Sequence, residues 1–193
     1  MSEKLHPGVI YRHTTLTVPE QLRNDFYAAR HDGHLLSEFM KCGYECLEDV
    51  VSTVVRQPVK VGSIVVVQTH GRSGHYNPHL HVIMTDGGIN PESGKWVNLG
   101  YFPYEMIHKK WQYHLLGMVK SVLDTDKIKA LIEELWKKYP KGLVAHVDKG
   151  KVPESYKELA KYLVKYVVSP PIAVRRIINY DGKMVRYWYK SLP

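Results

Sequence analysis

The chain holds very little cysteine, only Cys42 and Cys46 among 193 residues. Two cysteines give no disulfide framework and suit a reducing compartment. Their i, i+4 spacing in a helical stretch could suit a metal, but no second cysteine pair accompanies them, so they read as structural. Long apolar runs are also lacking: none approaches the roughly 20 residues of a membrane-spanning helix. The start, Met1-Ser2-Glu3-Lys4-Leu5-His6-Pro7, has no apolar signal core, so export is not expected. No acidic pair marks a site, which argues against chemistry run by paired carboxylates. Internal repeats and low-complexity tracts are absent as well.

What is present fits one soluble domain, long enough to bury a sizeable core. The net charge is +8, and it is unevenly placed. Residues 1–140 carry 16 Lys and Arg against 15 Asp and Glu, whereas residues 141–193 carry 11 against 4. A basic surface confined to the last quarter of the chain attracts polyanions such as nucleic acid.

The pattern alternates strands and helices. Tyr11 to Val18 is rich in β-branched and aromatic residues and reads as a strand. Pro19-Glu20 opens a helix to about Arg30, and a second helix runs from about Leu35 to Val55. Gly62 to Thr69 is a nearly continuous apolar strand. His70 to Pro78 has loop chemistry, and Asp86-Gly87-Gly88 reads as a turn. A short strand at Trp96 to Tyr101 and helices from Pro103 to Lys120 and Thr125 to Tyr139 follow. The helix from Pro103 shows Tyr104, Ile107, Trp111, His114, Leu115 and Met118 at core spacing. His108 and His114 have no marked partner and read as structural or exposed. Leu143 to Val147 is a further strand. Val174 to Ile178 and Met184 to Tyr189 form a hairpin around Asp181-Gly182.

Two constellations carry chemistry. The first is Asn77-Pro78-His79-Leu80-His81-Val82-Ile83-Met84. In a strand, His79 and His81 share one face while Leu80, Val82 and Met84 share the other. Two imidazoles about 7 Å apart along a strand can grip one metal ion. If the preceding strand pairs as a hairpin, Gln68 or His70, two apart and expected on one face, would lie beside them. The second is Tyr162-Leu163-Val164-Lys165-Tyr166, in a helical stretch from near Pro153 to Pro170-Pro171. Tyr156, Leu159, Leu163 and Val167 make its apolar stripe. Tyr162 and Tyr166 lie about 40° apart along one border, so both hydroxyls can reach one place. Lys161 and Lys165 lie on the polar side. Downstream, Arg175, Arg176, Lys183 and Arg186 mix with Tyr187-Trp188-Tyr189, a mixture suited to unpaired bases.

These motifs resemble a family. His79-Leu80-His81, after Gln68-Thr69 and Gly71, looks like the His-hydrophobic-His motif of the HUH single-strand endonucleases. Tyr162 and Tyr166, followed by Pro170-Pro171-Ile172-Ala173, look like the paired tyrosines of their two-tyrosine branch. The combination is similar to rolling-circle insertion-sequence transposases, and Thr17-Val18-Pro19-Glu20-Gln21-Leu22-Arg23 fits the same group. The resemblance implies an α+β fold: a central antiparallel sheet carrying the histidines, with helices on one or both faces. It implies one nuclease domain over residues 1–193, without the usual cysteine-rich zinc-binding region before it or the usual continuation after it.

The resemblance also implies a mechanism. Mg²⁺ or Mn²⁺ would be held by His79 and His81 with a third ligand, Gln68 by family position and His70 as its rival. Tyr162 would attack the scissile phosphate first and Tyr166 second, giving a 5′-phosphotyrosine and a free 3′-hydroxyl. Lys161, Lys165, Arg175 and Arg176 would bind the nucleic acid, single-stranded or hairpin DNA. The location would be the bacterial cytoplasm, with no membrane partner. Two alternatives stay open: a plasmid replication initiator or relaxase of the same chemistry, and a single-stranded nucleic-acid-binding protein without catalysis.

Overall fold

The computed structural model describes residues 9–71, 74–148, 161 and 174–188. Its centre is an antiparallel four-stranded sheet in the order β2-β3-β1-β6. The strands are β1 (Tyr11–Thr17), β2 (Ser63–His70), β3 (Tyr76–Thr85) and β6 (Ala145–Val147). Four helices accompany it: α1 (Glu20–Ala28), α2 (Gly33–Val55), α3 (Tyr104–Val122) and α4 (Asp126–Lys138). This is the α+β architecture the sequence implied. Two small hairpins complete the described chain, β4 (Gly87–Ile89) with β5 (Trp96–Asn98) and β7 (Ile177–Tyr180) with β8 (Val185–Tyr187). No described helix is long and apolar enough to cross a membrane.

Strand alternation sorts the sheet into two faces. Leu16, Leu80, Val82, Met84, Ala145 and Val147 point to one side, and all are buried in the main core. The long helices cover that side. Phe39, Leu47 and Val50 of α2 join Trp111, Leu115 and Val119 of α3 in the same cluster. The closest approach is at Gly43 of α2, where an added Cβ would stand 2.4 Å from Leu80 Cδ1. The missing side chain there lets the helix sit against the residue between the two histidines. Trp111 donates its indole N–H to Thr17 O at 3.0 Å, so the largest core ring also fixes the end of β1. Burial keeps Cys42 and Cys46 protonated, with the Cys42 thiol pushed up to about 12; both are core residues.

The structure departs from the sequence reading at three places. The stretch from His70 to Pro78 is not all loop, because β3 begins at Tyr76. Gly87 and Gly88 do not only turn the chain; they start β4, where Gly88 packs against Lys60 O and leaves no room for a side chain. His108 and His114 are both partnered. His114 Nε2 lies 2.9 Å from Asp49 Oδ2, and Lys110 holds the same carboxylate at 2.8 Å. His108 Nδ1 lies 2.8 Å from Leu143 O, and Leu143 N–H donates back to His108 O at 3.1 Å. A histidine on α3 thereby sets the approach of β6.

Gly142 completes that approach. Its φ of +96° belongs to the region glycine favours, and a Cβ would fall 2.2 Å from the His108 carbonyl carbon. Gly117, in the middle of α3, has nothing within 4 Å of its Cβ position. Gly142→Ala is expected to cost about 2–3 kcal/mol or more. Gly117→Ala should instead add about 0.5–1 kcal/mol by restricting the unfolded chain. Urea unfolding midpoints check both, and equal effects at the two sites would contradict this account of β6.

Candidate metal centre and family assignment

The face of the sheet opposite the core carries the histidines. Residues directly across an antiparallel ladder share a face. His79 stands between Thr17 on β1 and Gln68 on β2, and His81 between Thr15 and Val66. The two imidazole rings are 4.9 Å apart at 75°. A metal–nitrogen bond of about 2.1 Å would put two neighbouring rings on one ion roughly 5 Å apart, which matches. His79 Nδ1 donates to Asn77 O at 2.7 Å. A carbonyl only accepts, so the His79 proton sits on Nδ1 and the basic lone pair on Nε2.

Both rings are held in their neutral form. Burial pulls the His79 pKa down, and the charge of Arg23 on α1 pulls the same way while the Asn77 hydrogen bond opposes it. His81 falls to about 3, chiefly by burial, then through His79 and His13, against an opposing pull from Asp148. Neutral imidazole is the metal-binding form. Among the described residues, no group of three or more His, Cys, Asp or Glu side chains could hold a metal ion. Any third donor from the described part would therefore be of another type, and Gln68, paired across the ladder with His79, is the candidate with an amide oxygen. The residues fit a divalent cation. Imidazole nitrogens with amide oxygen favour Mn²⁺ over Mg²⁺.

His70 does not share this setting. Gln68 pairs with His79, but His70 pairs with Tyr76, so the register slips by one residue. Asn77 and Pro78 of β3 face the single residue Thr69 of β2 at the slip. Pro78 has no N–H for the ladder, which is a physical reason for a bulge there. The His70 ring meets the Tyr76 ring edge-on at 5.7 Å, and its Nδ1 lies 2.8 Å from Thr69 Oγ1. Tyr76 itself packs against the core. The bulge sets His70 opposite Tyr76, one pairing further from the two histidines than Gln68, which lies across from His79.

Tyr162, Tyr166 and Lys165 lie outside the described residues. Lys161 is helical and exposed. Arg175 and Arg176 form a short 3₁₀ turn leading into β7, with Arg175 exposed and the Arg176 guanidinium 5.4 Å from the Trp188 ring centre. Their hairpin reaches back to the β2–β3 turn, where the Tyr187 phenol lies against Gly74.

Several residues at the site escaped the sequence reading. His13 of β1 is 4% exposed, and its ring stacks on His81 at 5.1 Å and 27°. Asp148 follows β6, and His146 lies within it. Arg23 places a buried Nε, without a hydrogen-bond partner among the described residues, near His79. None forms a short motif with His79, because each comes from a separate element. The one signal was strand parity: His13 and Thr15 alternate with the apolar Leu16.

An antiparallel sheet whose inner strand β3 presents His79 and His81 on the face opposite the main core has the arrangement expected of an HUH-type scaffold. Residues 62–192 match the model of the Y2_Tnp family, described as "Putative transposase". The chain belongs to this family, the two-tyrosine HUH-type transposases of insertion sequences. It is 27% identical over 193 residues to the transposase of insertion sequence element IS801 from Pseudomonas savastanoi pv. phaseolicola, covering 95% of this chain and 45% of that protein. It is 22% identical over 194 residues to "Putative transposase y4qJ" of Sinorhizobium fredii strain NBRC 101917 / NGR234, covering 94% of this chain and 48% of that protein. The chain thus spans about half the length of these curated relatives. No solved structure matches it.

The depressed histidines predict a pH dependence for the metal-free protein. Native His79 and His81 stay neutral below the usual 6.5, whereas the unfolded chain takes up protons there. The unfolded state then binds more protons, so stability should be level above pH 7 and fall as the pH drops below 6.5, continuing toward the folded value of about 3 for His81. His81→Gln should flatten part of that slope. Urea midpoints at half-unit pH steps provide the measurement, and a midpoint that rises on acidification contradicts the neutral assignment.

Proposed function

We propose that this chain is the catalytic domain of a metal-dependent transposase that nicks and rejoins single-stranded DNA through 5′-phosphotyrosine intermediates. The observation that carries the reading is the pair His79 and His81: neutral, 4.9 Å apart, on the open face of the sheet. The nucleophiles on this reading are Tyr162 and Tyr166, and membership in the transposase family supports it.

His79, His81 and Gln68 would hold a divalent ion, which when bound would supply Lewis-acid polarisation of the scissile phosphate. The rest is the work of the chain's own residues. The rigid pair β1–β3 fixes both imidazoles relative to the backbone, so the site needs little reorganisation when the phosphate arrives. Arg23 contributes a cation beside His79 that suits a phosphate oxygen. A free tyrosine is protonated at pH 7, and the cationic surroundings that Lys161 and Lys165 help to create favour its phenolate. Attack by the Tyr162 oxygen forms the Tyr–phosphate bond as the bond to the departing 3′ oxygen breaks. The covalent link conserves the phosphodiester energy, so rejoining requires no nucleotide. Tyr166 then accepts a second strand while the first remains attached. Arg175 and Arg176, on the hairpin that contacts the β2–β3 turn, hold the backbone of the flanking strand.

A denaturing gel with single-stranded DNA from the element's own ends, labelled 3′ of the cut, tests the chemistry. An SDS-stable adduct is expected with Mn²⁺ and none with EDTA. Tyr162→Phe should lower first cleavage more than roughly 100-fold, since it removes only the attacking oxygen. His81→Ala should abolish the Mn²⁺-dependent adduct without unfolding the protein. Salt-sensitive binding with no adduct under any condition would make the chain a binding module instead.

The arginine assignment has its own measurement. The log of affinity for single strands should fall with log salt, by about 0.7 for each phosphate contacted. Replacing both Arg175 and Arg176 with Ala should make that slope shallower by about 1.4. An unchanged slope removes the hairpin from the DNA path.

A further inference from the structure

His13 is a buried histidine from the first strand, and the metal site proposed above does not use it. It is opposite Ile83 on β3 and therefore diagonal to His81 on the same face. Its Nε2 lies 2.9 Å from His81 Nδ1, and its Nδ1 lies 3.0 Å from Asp148 Oδ2. Thr15 Oγ1 stands 3.4 Å from the same His81 nitrogen. Asp148 is held in register by its own N–H, which donates to His13 O at 2.9 Å. The second Asp148 oxygen lies 3.4 Å from His146 Nε2. Three elements thus meet in one line of polar atoms: carboxylate, imidazole, imidazole.

Donor accounting fixes the protons along that line. An ionised carboxylate only accepts, so His13 Nδ1 must carry a hydrogen. The His13 ring is almost wholly buried, and a buried imidazole stays neutral with one hydrogen. Its Nε2 is then an acceptor, and His81 Nδ1 must be the donor. That places the basic lone pair of His81 on Nε2. His79 reaches the same tautomer by a different route, through the Asn77 carbonyl. Without a partner, imidazole favours the opposite tautomer, with its hydrogen on Nε2 and no lone pair there for a cation.

We infer that His13 and Asp148 form a positioning relay that holds His81 in the Nδ1–H tautomer, so that His79 and His81 offer matched Nε2 lone pairs to one divalent cation. The inference rests on the metal reading of His79 and His81. Neither residue touches the cation or the DNA; both act through His81. Outer partners of this kind are worth about 10–100-fold in metal affinity.

The test separates the relay from the reading beneath it. Long-range ¹H–¹⁵N correlation spectra of the metal-free, ¹⁵N-labelled chain at pH 7.5 report the tautomer of each histidine. His81 is expected as Nδ1–H, and an Nε2–H tautomer in the unmodified protein overturns the relay without recourse to any variant. His13→Phe keeps a buried ring and Asp148→Asn keeps the shape of the carboxylate. Both should shift His81 toward Nε2–H, whereas Asp148→Glu should restore part of the original state. A His81 tautomer unchanged in both overturns the relay. Calorimetric titration with Mn²⁺ supplies the second readout, with affinity expected to fall 10–100-fold in His13→Phe and Asp148→Asn. Shifted tautomers with unchanged affinity overturn the positioning role. An unmodified protein that shows the expected tautomer and binds no Mn²⁺ defeats the metal reading itself, and the inference falls with it.

Discussion

The site depends on the burial of Leu80. This side chain is fully enclosed by α2 and β1, against Gly43 and Leu16, and it separates the two histidines in the chain. A strand cannot rotate one residue without rotating its neighbours, so anchoring Leu80 on the helix side commits His79 and His81 to the other. Burial of such a side chain contributes on the order of 2 kcal/mol, enough to hold the register against a slip that would turn the imidazoles inward. Val82 and Met84 repeat the anchor along the strand. The precision of the site is inherited from the core.

Burial also sets the electrostatics. Each imidazole loses hydration on a half-covered sheet face, which disfavours its cationic form. Neighbouring groups work in the same direction: the Arg23 cation disfavours a charge on His79, and His79 and His13 disfavour one on His81. A divalent cation would compete with protons for the same nitrogens, so lowering proton affinity by desolvation would leave those lone pairs open to the proposed metal at neutral pH. Asp148 opposes this, but it sits one ring away. Its carboxylate orients the chain of imidazoles more than it charges them.

The same sheet gathers the rest of the working surface. The bulge at Asn77-Pro78 ends regular pairing just before His79, as is common beside active sites. It sets His70 opposite Tyr76 and leaves Gln68 as the β2 residue facing His79. The β2–β3 turn that follows receives Tyr187 from the basic hairpin. The described basic residues of that hairpin, Arg175, Arg176, Lys183 and Arg186, are therefore connected to the β2–β3 turn. For the proposed reaction on a polyanion, that arrangement would raise the local substrate concentration.

Much of this was legible from residue order. Alternation around Leu80 gave the face of each histidine. Proline and glycine punctuation bounded α2 and α4, apolar periodicity gave α3, and the scarcity of cysteine and of acidic pairs narrowed the chemistry. Pairing of the two strands around the 71–75 turn gave Gln68 as a neighbour. These features are local, and their periods are fixed by backbone geometry. What residue order could not give was anything set by the register between distant strands. A lone His13 in a threonine-rich strand carries no mark of its function until β1 lies beside β3 and β6 brings Asp148 within 3.0 Å. The shift of His70 is likewise a property of a bulge between two strands. Sequence determined which residues share a face, because that follows from one chain's own geometry; only the tertiary structure decided which nitrogen of His81 carries its proton, because that depends on groups 68 and 135 positions away from one another.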